Sequence, residues 1–408
     1  MNKEETKRKT SEEQFRIPNS EFRISNAERR TPSAFGLYFH VPFCAAKCPY
    51  CDFYSGRDLS LIPAYADAVK DELATLRRVS PFVTEDVRKR ETASVYFGGG
   101  TPGLLPPETL DELLRCVRAH FNVDPNAEIT VEVNPTLKNR EAFFASVAAA
   151  GVNRISVGMQ SAVEAELKAL GRRGSPSDVA ETVRAVRAAG IGDISLDIML
   201  GIPGQTPETL RTSLDHALSL LPTHLSIYIL KLEEGTPLYA RRNRLDLPDE
   251  DAAADLYLFA CRYLAEKGMR HYEISNFCFG GRVGRHNLNY WRCGEYLGIG
   301  PAAHSYVDGK RFFFPRDLDA FLAGEKAVFD APGGDSEEVF MLALRTDTGV
   351  DLPAFTSRFG LTPGRGFYET AAAFEKNGLL VNGGGTLRLT DKGFLVSNSI
   401  IAALLAAL

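Results

Sequence analysis

An excess of charge of either sign is missing: 47 lysines and arginines face 52 aspartates and glutamates, a net charge of −5 over 408 residues. That balance leaves no basic footprint for nucleic acid or for an anionic membrane surface. Long apolar runs are missing too, and none approaches the ~20 residues that a membrane span requires. The first 33 residues lack the apolar stretch of a secretory signal. They carry Glu4, Glu5, Glu12, Glu13, Glu21 and Glu28, acid that transit peptides avoid. With the near-repeat FRIPNS and FRISNA, 1–33 reads as a disordered polar tail, and a cytoplasmic location is expected. Cysteine is scarce and odd in number: Cys44, Cys48, Cys51, Cys116, Cys261, Cys278 and Cys293. Three of the seven crowd into eight residues, which argues for metal or redox chemistry and against a disulfide framework.

What is present is an alternation. β-like runs at 36–42, 93–99, 128–134, 154–160, 194–200 and 224–230 are separated by segments of helical period, such as PETLDELLRCVRAHF and PETLRTSLDHALSLL. Six strands joined by crossover helices predict an α/β fold, a partial (β/α)6 barrel over 34–250, with chemistry at the C-terminal ends of the strands. The pattern changes over 251–330, where a helix leads to HYEISNF and a loop rich in Gly, Arg and Asn. Residues 331–408 read as helices followed by the hairpin LLVNGGGTLRLT, a smaller α+β C-terminal domain resembling a winged helix. Basic residues are too sparse there for a DNA reader.

The cysteine segment runs YFHVPFCAAKCPYCDF, residues 38–53, on a loop after the first strand. Thiolates are soft ligands for iron–sulfur clusters or zinc. Three of them can wrap one side of a compact [4Fe–4S] cluster, which needs four cysteines to be fully ligated, and so leave one iron open. The competing reading is a Cys₃His zinc site with His40 as fourth ligand. His40 lies within the apolar strand, where a buried, hydrogen-bonded histidine is the better expectation.

The CX3CX2C spacing after a first strand resembles the radical S-adenosylmethionine (SAM) signature, and the longer match is similar to the HemN/HemW branch of that superfamily. The resemblance covers roughly residues 34 to 400. It implies a cluster on Cys44, Cys48 and Cys51 whose open iron chelates SAM. It further implies SAM contacts from Gly99, Gly100 and Thr101 in the GGGTP motif, from Glu132, Gln160, Arg172 and Asp197, and from the flanking Tyr38 and Tyr50. An electron donor for the cluster and a homodimer are expectations of the same kind. Read without the resemblance, the glycine run is a turn, Glu132 is half of an internal salt bridge and Arg172 is a surface arginine.

The branch contains two kinds of member. One is an oxygen-independent coproporphyrinogen III dehydrogenase, which carries a further cysteine two positions after the third; here that position is Phe53. The other is a haem-binding relative thought to be a haem chaperone, marked by HNXXYW. His286 to Trp291 reads HNLNYW and includes the chain's one tryptophan. The resemblance thus implies haem as cargo, bound through His286, Asn287, Tyr290 and Trp291, and an acceptor protein to receive it. The bland alternative is that His286 and Trp291 order a loop under the barrel. Cys116 and Cys261 read as buried bystanders in helical patterns.

Overall fold

Over most of their length the six central strands place an apolar side chain at every second position, and that period of two builds the molecule. In the computed structural model, which describes residues 35–408, these strands are β1 (Phe35–Val41), β2 (Thr92–Gly99), β3 (Val123–Val133), β4 (Arg154–Gln160), β5 (Asp193–Leu200) and β6 (His224–Ile229). Leu37, Phe39, Val95, Phe97, Val131, Ile155, Val157, Leu196, Leu225 and Ile227 face one side and are fully buried. Helices cover that side: α1 (Ile62–Thr75), α2 (Pro107–His120), α3 (Arg140–Ala149), α4 (Glu164–Ala169), α5 (Pro176–Ala188), α6 (Pro207–Ser219) and α7 (Glu250–Glu266). The intervening residues, among them Tyr96, Thr130, Glu132, Ser156, Asp197 and Tyr228, line an internal chamber instead.

β1 to β6 pair in chain order, all parallel, and form the centre of a twelve-stranded mixed sheet. Beyond β6 lie β7 (Arg270–Glu273) and β8 (Asn276–Cys278), antiparallel to their neighbours. The segment expected as a loop contains a short helix, α8 (Arg285–Trp291). Seven residues between glycine-containing stretches show too little apolar period to be read as helix from sequence. On the other flank β9 (Tyr296–Ile299) runs parallel to β1 and continues into β10 (His304–Val307), β11 (Lys310–Phe313) and β12 (Val328–Pro332). A short helix α9 (Leu318–Leu322) packs against α1.

The C-terminal part contains α10 (Ser336–Ala343), β13 (Val350–Asp351), α11 (Leu352–Phe359) and α12 (Arg365–Lys376). The hairpin β14 (Leu380–Gly383) and β15 (Thr386–Leu389) follows, then α13 (Asp391–Leu395) and α14 (Ser397–Ala406). β13 joins the hairpin in a separate three-stranded sheet. No described helix is long and apolar enough to cross a membrane. The polar tail inferred over 1–33 lies outside the described residues.

Candidate functional site

The cysteine loop leaves β1 and is stitched to the glycine run that leaves β2. Gly100 N donates to Val41 O (2.8 Å) and Thr101 N to Phe43 O (2.8 Å). A Cβ at Gly100 would stand 2.6 Å from Phe43 O and 2.8 Å from Val41 O, so this approach admits only glycine. The loop is closed from its far side by Cys44 N to Gly56 O (2.9 Å) and Gly56 N to Pro42 O (2.8 Å).

Cys44, Cys48 and Cys51 are half-buried free thiols at the rim of one chamber of about 740 Å³. Thr101 Oγ1 lies 3.5 Å from Cys44 Sγ, and Arg172 Nη1 3.6 Å from Cys48 Sγ. Burial raises the Cys51 thiol above its ordinary range, and the nearby Cys48 and Cys44 sulfurs add to the effect. No fourth cysteine lines the chamber. His40 is spent elsewhere: Tyr38 Oη is 3.1 Å from its Nδ1, and its Nε2 lies 2.9 Å from the Tyr54 carbonyl. The Cys₃His zinc reading therefore loses its fourth ligand.

Below the thiols the chamber gathers every residue singled out for SAM: Tyr38, Tyr50, Gly99, Gly100, Thr101, Glu132, Gln160, Arg172 and Asp197. Arg172 is no surface arginine. Its Nη2 donates to Gly158 O (2.5 Å) and Asn134 Oδ1 (3.2 Å), which aims the guanidinium across the chamber at Cys48. Tyr96 Oη donates to Glu132 Oε1 (2.7 Å), Ser156 Oγ to Asp197 Oδ1 (3.1 Å) and Tyr228 Oη to Gln160 Oε1 (2.8 Å). Glu132 thus has a hydroxyl partner and not the salt bridge that was the alternative. Burial pushes the Glu132 carboxyl up to about 7, with the Asp197 charge adding to it, and burial pushes Asp197 up to about 6. Thr130 Oγ1, buried on the β3 side, has no hydrogen-bond partner among the described residues.

The HNLNYW residues do not act as one group. His286, Asn287 and Tyr290 line the opposite end of the chamber, near the starts of β3, β4 and β6. His286 is 1% exposed, with Nδ1 2.9 Å from Ser94 Oγ and Nε2 2.7 Å from Tyr290 Oη. Its ring stacks on Tyr96 at 5.0 Å, and burial pushes its pKa down to about 3, so the imidazole is neutral. Trp291 points elsewhere, with the Arg345 guanidinium 5.8 Å over its ring. As folded, His286 offers no free nitrogen to a metal, and Trp291 covers no face of the chamber.

Sequence reasoning missed Tyr96, Tyr228, Ser156, Glu128, Arg154 and His224, all on the chamber wall. Their signal is the period of two that places them in phase with Glu132 and Asp197.

This arrangement has close relatives. Residues 38–217 match the radical SAM superfamily, and residues 336–396 match the HemN C-terminal domain. The "Heme chaperone HemW" of Mycobacterium tuberculosis is 36% identical over 383 residues, covering 91% of this chain and 95% of that protein. The chain belongs to the HemN/HemW branch of the radical SAM superfamily. The "Heme chaperone HemW" of Escherichia coli is 35% identical, covering 91% and 98%, and a mouse protein named "Radical S-adenosyl methionine domain-containing protein 1, mitochondrial" is 35% identical, covering 91% and 87%. The solved structure of Escherichia coli HemN, a coproporphyrinogen III oxidase, shares the fold with a TM-score of 0.76 at 20% identity, covering 91% of this chain and 90% of that one. Membership in this family implies a [4Fe–4S] cluster and SAM. Three convergent thiols without a fourth, over a polar chamber with an unpartnered hydroxyl, fit both groups.

Proposed function

We propose that this protein carries haem as cargo to an acceptor protein in the cytoplasm, with a [4Fe–4S] cluster and SAM as resident groups. Cys44, Cys48 and Cys51 would hold the cluster. The Gly99–Thr101 segment, Glu132, Gln160, Arg172 and Asp197 would hold SAM, with Tyr38 and Tyr50 beside it. Held there, a reduced cluster would supply an electron for reductive cleavage of SAM. Around it, Arg172 keeps a cation beside Cys48, while Glu132 and Asp197 offer acceptor oxygens in a site shielded from bulk water.

The observation that carries the choice between the two kinds of member is Phe53. It lines the rim of the chamber and is 66% exposed, where the dehydrogenase has its extra cysteine. An exposed phenyl ring cannot ligate iron or pass a proton. The HNLNYW motif and full-length relatives named for haem support the same reading.

Haem coordination through His286 Nδ1 requires α8 to leave the end of the barrel, because that nitrogen is bonded to Ser94 while Nε2 is bonded to Tyr290 of the same helix. In this reading α8 is a gate, latched to the barrel by Ser94 at the His286 ring and by Glu128 at the backbone of Arg285 and His286.

The test is anaerobic incubation of cluster-filled protein with SAM, a reductant and coproporphyrinogen III. No protoporphyrinogen IX should form. Catalytic formation of that product would replace the carrier with the dehydrogenase.

A further inference from the structure

A second set of ligand atoms lies away from the chamber, where α13 packs against α7 and β7. Cys261 Sγ, His271 Nδ1 and a carboxylate oxygen of Asp391 all lie within 4.8 Å of one another. Nδ1 is 2.8 Å from Asp391 Oδ1 and 3.9 Å from Cys261 Sγ. Two groups that are anionic when ionised therefore converge on one ring nitrogen, which has a single hydrogen or lone pair to offer.

The other face of the imidazole shows which form the site suits. His271 Nε2 lies 3.4 Å from Tyr257 Oη, and that hydroxyl donates to the Ile274 carbonyl at 2.9 Å. Its only hydrogen is engaged, so Tyr257 can meet Nε2 only as an acceptor. Without an ion, Nδ1 donates its hydrogen to Asp391; an ion at that position takes the place of this hydrogen, Nε2 then carries the ring proton, and Tyr257 Oη is placed to accept it. A ring N–H held by an outer oxygen is the usual arrangement behind a metal-ligating histidine. The ring is also fixed in plane, stacked on Phe277 at 4.1 Å and 8° and met edge-on by Phe394. Cys261 is 2% exposed, while the Asp391 side chain is 48% exposed, which leaves solvent access on one side for a fourth, water ligand.

We infer that Cys261, His271 and Asp391 form a site for a divalent transition-metal ion of the zinc type. The donor set of one thiolate, one imidazole and one carboxylate suits zinc, which accepts four ligands in a tetrahedron. On binding, the thiol proton leaves to solvent and no electron moves. The ion ties Asp391 at the start of α13 to α7 and β7, and so fastens the C-terminal part to the sheet.

The probe is zinc itself, added to full-length protein whose [4Fe–4S] cluster is already filled, so that Cys44, Cys48 and Cys51 are not free to compete. Elemental analysis after dialysis against micromolar zinc should find about one zinc per chain beyond the iron. Cys261→Ser and Asp391→Asn should each abolish it, Tyr257→Phe should weaken it roughly tenfold or more, and Cys116→Ala should leave it unchanged. Zinc should also raise the melting temperature of the parent and not of Asp391→Asn, a half-exposed change that leaves the core intact. No zinc on the cluster-filled parent, or zinc retained by both Cys261→Ser and Asp391→Asn, would overturn the site.

Discussion

Glu132 and Asp197 share one shielded chamber, and their raised pKa values make a pH-dependent cost of the SAM site. A carboxyl whose pKa is higher folded than unfolded holds its proton more tightly in the folded state. Its contribution to stability is complete below about pH 4 and is lost as pH rises through 6 to 7. Glu132→Gln keeps an acceptor for Tyr96 and removes that loss. Its melting temperature, measured without SAM, should match the parent near pH 4 and exceed it near pH 8, a gain on the order of 1–3 kcal/mol. An equal difference at both pH values would mean that Glu132 is not ionising in a dry site. Glu132 and Asp197 were legible as sites because a carboxylate inside an apolar strand demands a reason. Tyr96 and Tyr228 were not, since an aromatic residue in a strand reads as core until its hydroxyl partner is seen.

At the scale of elements, two short segments set the chemistry. The cysteine loop depends on the backbone bonds it makes to the glycine run. Gly100→Ala should therefore reduce the iron taken up on reconstitution several-fold, although it changes no ligand, because the added methyl collides with the Phe43 and Val41 carbonyls. Cys116→Ala, a half-buried thiol far from the loop, should take up the full complement; equal iron in both variants would contradict the loop account. α8 is the other segment. Removing the Ser94 latch frees His286 Nδ1, so Ser94→Ala should bind haem faster than the parent, as a smaller opening cost raises the competent fraction. Stopped-flow mixing with haem measures this, and a slower or unchanged rate would mean that α8 is a fixed plug. The six strands were readable because each is an alternating run between helical patterns. The α8 helix was not, because its seven residues are held by Glu128, Ser94 and their bonds to Arg285 and His286 and not by any period of their own.

For the whole molecule, the order of elements dictated the architecture more firmly than any single motif. Strand and helix alternation specified the parallel centre, and its two-faced strands separate a helix-covered core from a polar interior. The chamber running from the thiols to α8 was not legible, since residues 132 and 286 come to line one cavity only through the curl of the sheet. That curl puts the cysteine loop and α8 at opposite ends of one cavity. The central claim is that haem is the cargo, and the most direct measurement is a haem titration of cluster-filled protein followed by its Soret absorption. The account predicts saturation near one haem per chain, with His286→Ala lowering the occupancy or shifting the band while the iron–sulfur content stays full. No saturable haem binding by a protein with its cluster intact would contradict it.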